Sequence, residues 1–204
     1  MSRKVPFEIG EYYHVFNRGV DKRKIFIDED DYSYFTHILE VFNDQAPAEN
    51  VRYFYRGRTS IEERQKPLVE ITSFCLMPNH FHLLLKQVAD RGIVKFLQKL
   101  GNYTHFFNKK YNRSGVLFQG RNKSSHVGKD NYLNYLKMYI ELNPLDICSP
   151  GWKEGGVRNR KEAEKFLKEY KWKSSPKDAN NLIEPYVTSD DFLEYIKSIE
   201  VRPQ

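Results

Sequence analysis

The 204 residues suit one domain with appendages, or at most two small domains, and suffice to bury a core. Two cysteines, Cys75 and Cys148, make no disulfide framework. No stretch approaches the roughly 18 consecutive apolar residues of a membrane span, and the basic start "MSRKVPFEIGEYYHVF" lacks a signal peptide's apolar segment, so a reducing cytoplasm is expected and a membrane is not. The net charge of +6 says little alone, but its distribution says more: between Arg91 and Lys129 there is no Asp or Glu. That span holds nine basic residues, Arg91, Lys95, Lys99, Lys109, Lys110, Arg113, Arg121, Lys123 and Lys129, where ordinary surfaces mix both signs. An anionic ligand is expected there, and some of the 14 Tyr and 14 Phe could stack on bases, although most must be core.

Along the chain, "YYHVFNRG" (Tyr12 to Gly19) reads as a first strand. Asp28 reads as an N-cap followed by Glu29, Asp30 and Asp31, and the spacing of Tyr32, Phe35, Ile38, Leu39 and Phe42 predicts a helix to about Gln45. Residues 46–67 read as a loop or insertion, with "VRYFY" as a possible short strand. "LVEITSFCLM" and "HFHLLLKQ" are two strands separated only by "PN", which predicts a tight antiparallel hairpin. Ile93, Phe96, Leu97, Leu100, Thr104 and Phe107 mark a helix over about 91–110. "VLFQGRNKSSHVG" reads as a short or bent strand region, and Asp130 as the cap of a helix that Pro144 ends. The order β-α-β-β-α-β-α predicts an α+β fold, a ferredoxin-like split βαβ with an antiparallel sheet and one extra helix. "SPGWKEGG" reads as a linker, "RKEAEKFLKEYKW" as an exposed helix and "SDDFLEYIKSI" as a last short helix capped by Ser189.

Strand periodicity points His80 and His82 the same way, with Phe81, Leu83 and Leu85 toward the core. Two imidazoles on one face can share a divalent cation, or can be two satisfied histidines; imidazole alone would suggest zinc or a similar metal. A third ligand must come from elsewhere. Tyr139 and Asn143 lie four apart on one helix face, and Asn143 precedes Pro144, which leaves its amide oxygen able to turn toward a metal. Tyr132, Tyr135 and Tyr139 form a helical stripe that could be core, but only Tyr139 has a metal-capable side chain four residues on. A phenol, with its reference pKa of about 10, is a poor nucleophile unless a nearby cation stabilises phenolate.

"YYHVFNRG", "CLMPNHFHLLLK", "YNRSGVLFQGRNKS" and "DNYLNYLKMYIELNP", in this order, resemble the IS200-like transposase family, within the HUH endonucleases and closest to the REP-associated tyrosine transposases. The resemblance spans residues 8–148, with an insertion near 46–67 and an extension over 149–204 to which no motif transfers. It implies that His80 and His82 are metal ligands, that Asn143 is a third, that Tyr139 is the nucleophile, and that Phe81 is the apolar residue between the histidines. The implied metal is Mg2+ or Mn2+, which suits an open phosphate-handling site better than zinc. The implied activity is nicking and transfer of single-stranded DNA, often beside a hairpin, through a 5′-phosphotyrosine link, by a homodimer or a monomer. Lys95, Lys99 and Lys123 in the acid-free stretch, with Arg18, Arg113 and Arg121 in motif positions, are the DNA-contact candidates. Gly115 and Gly120 are expected to serve turns. A non-catalytic nucleic-acid binder on the same fold and a water-using metal hydrolase are the alternatives.

Overall fold

The computed structural model describes residues 6–46, 66–128 and 130–174. The possible strand "VRYFY" and the expected helix capped by Ser189 lie outside them. β1 (Tyr12–Arg18) leads to α1 (Glu29–Val41), the hairpin β2 (Val69–Met77) and β3 (His80–Gln87), then α2 (Gly92–Leu100), α3 (Asn102–Lys110), β4 (Lys123–Val127) and α4 (Asp130–Leu142). Three further helices follow: α5 (Leu145–Cys148), α6 (Trp152–Gly155) and α7 (Arg160–Glu169).

Local chemistry explains these boundaries. Asp28 starts α1 with a capping box: its side chain accepts from the Asp31 amide at 3.1 Å, and Asp31 Oδ2 accepts from the Asp28 amide at 3.4 Å. The helix ends at Val41, earlier than the spacing predicts. There Asn43 turns its side chain to the start of β2, accepting from the Leu68 and Val69 amides and donating to the Val69 carbonyl. The expected helix over 91–110 is two helices that meet at Gly101, whose amide is shared between the Leu97 and Gln98 carbonyls. α4 takes in Asp130 as its first residue rather than as the cap before it. Gly115 and Gly120 have φ of +86° and +78°, so both do occupy turns that favour glycine.

The four strands form one antiparallel sheet in the order β2-β3-β1-β4, the arrangement expected of a split βαβ. Alternation divides its side chains between two layers. Tyr13, Val15, Leu76, Phe81, Leu83 and Leu85 face the larger core, with Phe35 and Ile38 of α1, Ile93 and Phe96 of α2, and Tyr103 and Phe107 of α3. Cys75, Met77 and Leu84 face the opposite core, built with Leu136, Tyr139 and Ile140 of α4. The first face is sealed by apolar helices; the second carries the histidines.

The segment expected as a linker is packed instead. Trp152 of α6 is fully buried, and Ala163 and Leu167 of α7 join the same core. Beyond α7 the chain runs along the free edge of β2: Leu76 donates to the Trp172 carbonyl at 2.9 Å and Ser174 to that of Phe74 at 2.9 Å. An open strand edge is an aggregation template, and this extension covers it.

Candidate active site

His80 opens β3, and His82 follows on the same side of the strand. Their rings stand edge to face with centroids 5.1 Å apart. Across the sheet, β3 pairs with β1 so that His82 opposes Phe16 and His80 opposes Arg18. On this face His14 of β1 is the diagonal neighbour of His82, and its Nε2 lies 2.8 Å from His82 Nδ1. His14 is a site residue that sequence reasoning missed. The signal existed: period-two alternation in "YYHVF" puts His14 and Phe16 on one face, and the split βαβ order sets β1 beside β3.

α4 lies over these histidines. The Tyr139 ring meets His82 edge to face at 5.7 Å and His14 at 6.4 Å. It is only 3% exposed. One turn on, Asn143 follows the end of α4 and donates from Nδ2 to the Tyr139 carbonyl at 2.7 Å. Asn143 Oδ1 is buried without a hydrogen-bond partner of ordinary geometry. The Asn143 side chain lies close enough to His80 to bear on its protonation.

His14 and His82 are buried and His80 is half-buried. Burial drives the His80 pKa down to about 4, and the Arg18 guanidinium adds to the effect. His82 is held well below the ordinary histidine value by burial, then by its neighbours His14 and His80. Burial alone takes His14 to about 3. All three imidazoles are therefore neutral at pH 7, the state that ligates metals. His80 Nδ1 lies 2.6 Å from Asn79 Oδ1, a contact that assigns its proton to Nδ1 and leaves Nε2 as a lone pair. Among the described residues no three His, Cys, Asp or Glu side chains group to hold a metal, so a metal on the histidine pair would need a ligand of another kind. The unpartnered Asn143 oxygen fits that requirement, since a buried amide oxygen without a donor is otherwise costly.

The remaining candidates separate. Arg18 is exposed at the end of β1, beside His80. Lys123 is exposed at the start of β4, opposite Phe16, and Arg121 is exposed just before it. Asn17 ties this loop to β1 through bonds to Asn122 Oδ1 at 2.8 Å and the Gly120 carbonyl at 3.3 Å. Arg113 stacks over Phe107 and reaches Asn108. Lys95 and Lys99 sit on α2, whose apolar side seals the other face of the sheet. Lys95 donates to the Asp90 carbonyl at 3.0 Å, and Lys99 to those of Asp44 and Ala46. The basic stretch is thus shared between both sides of the sheet.

An ion pair borders the site from the extension. Lys153 Nζ lies 5.2 Å from the centre of the Tyr139 ring and 3.1 Å from Asp146 Oδ2. Asp146 Oδ1 accepts from the buried Trp152 indole at 2.8 Å.

The family model described as "Transposase IS200 like" matches residues 57–143, a span that includes His80, His82, Tyr139 and Asn143. No curated protein matches. A solved REP-associated tyrosine transposase, bound to a REP hairpin, is similar in fold with a TM-score of 0.54 at 13% identity, covering 91% of this chain and 88% of its own. A Deinococcus radiodurans protein provisionally described as a transposase aligns over 69% of this chain and 96% of its own, at 16% identity and a TM-score of 0.39. His80, His82, Tyr139 and Asn143 therefore lie within the stretch of this chain that is similar to IS200-like transposases.

Proposed function

We propose that this chain nicks and transfers single-stranded DNA, with Tyr139 as the nucleophile. The observation that carries the reading is the convergence of the Tyr139 ring, the two histidines and the unpartnered Asn143 oxygen on one side of the sheet. His80, His82 and Asn143 would hold a divalent cation, Mg2+ or Mn2+. When bound, that ion supplies Lewis-acid polarisation of a phosphate oxygen.

The protein's own groups do the rest. The Tyr139 oxygen forms a bond to phosphorus as the bond from phosphorus to the 3′ oxygen breaks. The phenol proton passes to water, and the departing 3′ oxygen takes one up. The phosphodiester is conserved as a 5′-phosphotyrosine, so rejoining needs no nucleotide cofactor. Arg18, Arg121 and Lys123 lie on the strand ends and loop beside the histidines, where they would neutralise phosphates of the bound strand. The REP hairpin held by the similar structure motivates a hairpin-bearing strand as the substrate to try first.

The burial of Tyr139 favours a second reading, a nucleic-acid binder that does not cleave. Labelled single-stranded DNA with Mn2+ or Mg2+ separates the two. A protein–DNA adduct that survives denaturation and disappears in Tyr139→Phe supports the proposal. Binding without cleavage supports the second reading, and cleavage untouched by Tyr139→Phe would assign the reaction to water.

A further inference from the structure

We infer that Lys153, in the extension beyond the family match, is a catalytic residue that contacts a non-bridging oxygen of the scissile phosphate as Tyr139 attacks it. The inference rests on the Tyr139 reading above. Its ammonium lies 5.2 Å from the centre of the Tyr139 ring. One cation thus stands over the ring of the proposed nucleophile.

Its placement is built into the fold. The Lys153 side chain is 12% exposed, unlike an ordinary surface lysine. Asp146 holds the ammonium at 3.1 Å, the Trp152 indole holds Asp146 at 2.8 Å, and Trp152 is itself fully buried. The Asp146 amide donates to the Asn143 carbonyl at 3.0 Å, which couples this assembly to the end of α4. Tyr139, Asn143, Asp146 and Lys153 therefore form one continuous unit over the histidines. The ammonium lies between two rings, 5.2 Å from the centre of Tyr139 and 5.9 Å from that of Trp152. A lysine ammonium is a compact charge with rotatable donors, suited to follow a phosphate as charge builds in the transition state. Lys153 acts here through its charge and neither gives nor takes the proton that leaves Tyr139.

The test is adduct formation by the full chain on single-stranded DNA, with wild type, Lys153→Gln, Lys153→Arg and Tyr139→Phe. Each is assayed on an ordinary phosphodiester and on a methylphosphonate at the scissile position. Lys153→Gln is expected to slow single-turnover cleavage of the phosphodiester about 100-fold, with little change in DNA affinity and partial rescue by Lys153→Arg. On the uncharged methylphosphonate the gap between wild type and Lys153→Gln is expected to close, because the charge that Lys153 answers is gone. An equal loss on both substrates overturns the inference in favour of a structural role, as does a loss of less than threefold on the phosphodiester. If no enzyme cleaves the methylphosphonate, rescue decides: Lys153→Arg recovering activity that Lys153→Met does not supports the contact, and equal loss in both overturns it. Circular dichroism identifies any variant that fails to fold, and Lys153→Met then replaces it. If wild type forms no Tyr139-dependent adduct, the proposed function itself fails, an outcome distinct from all of these.

Discussion

Replacing His14 by Leu isolates the role of the buried histidine pair. For His82 to present Nε2 as a lone pair, its Nδ1 must carry the proton and donate to His14 Nε2, 2.8 Å away. His14 then carries its own proton on Nδ1, which is buried without a partner. The substitution strands the His82 donor, a cost of about 1–3 kcal/mol, and removes the unpartnered His14 donor, a gain of similar size. Folding stability is therefore expected to move by less than about 1 kcal/mol, because the two effects offset. Metal binding is not protected in this way. A ligating histidine that loses the group orienting its second nitrogen costs roughly 10–100-fold in affinity. His14→Gln, which offers an amide oxygen to the same donor, is expected to keep most of it. Mn2+ titration of metal-free protein, read by the electron paramagnetic resonance of free Mn2+, measures the affinity, and urea unfolding measures the stability. Wild-type Mn2+ affinity in His14→Leu, or equal losses in Leu and Gln, would refute the reasoning.

Three further outcomes are expected. The depressed histidines, about 4 for His80 and about 3 for His14, lie below their unfolded value, so unfolding takes up protons. Their stabilisation is complete above the unfolded value of about 6.5 and is lost as pH falls toward the folded values, each group contributing about 1.4 kcal/mol per pH unit in that window. Urea midpoints that stay flat between pH 7 and pH 5 would contradict this. Trp152→Ala removes a fully buried indole and its bond to Asp146, so a loss of about 3–5 kcal/mol is expected in urea unfolding. A change under 1 kcal/mol would show that α6 is not part of the core. Gly92→Ala places a methyl 2.0 Å from the Leu68 carbonyl oxygen, a backbone clash where α2 enters, and is expected to cost about 1–3 kcal/mol. An unchanged melting temperature would rule out that close approach.

Local sequence determined the parts that depend on short-range geometry. Period two put His80 and His82 on one face of β3. The i, i+4 spacing put Asn143 one turn beyond Tyr139, and the two are joined by the bond from Asn143 Nδ2 to the Tyr139 carbonyl. Asp28 announced the start of α1 because a cap is chosen by residues three apart. The order of strands and helices was enough to anticipate the sheet.

Only the tertiary structure decided what those pieces meet. His14 joins His82 across 68 residues of sequence because the strand order sets β1 beside β3. The "SPGWKEGG" segment reads as a linker from its glycines and proline, yet the buried Trp152 anchors it and delivers Lys153 to the Tyr139 ring. The acid-free run reads as one basic surface, but α2 and β4 take their lysines to different places because the sheet has two faces. Residue spacing fixes which side chains share a face of one element. Which faces then confront each other depends on long-range packing, and that is where the histidine face acquired its tyrosine and its lysine.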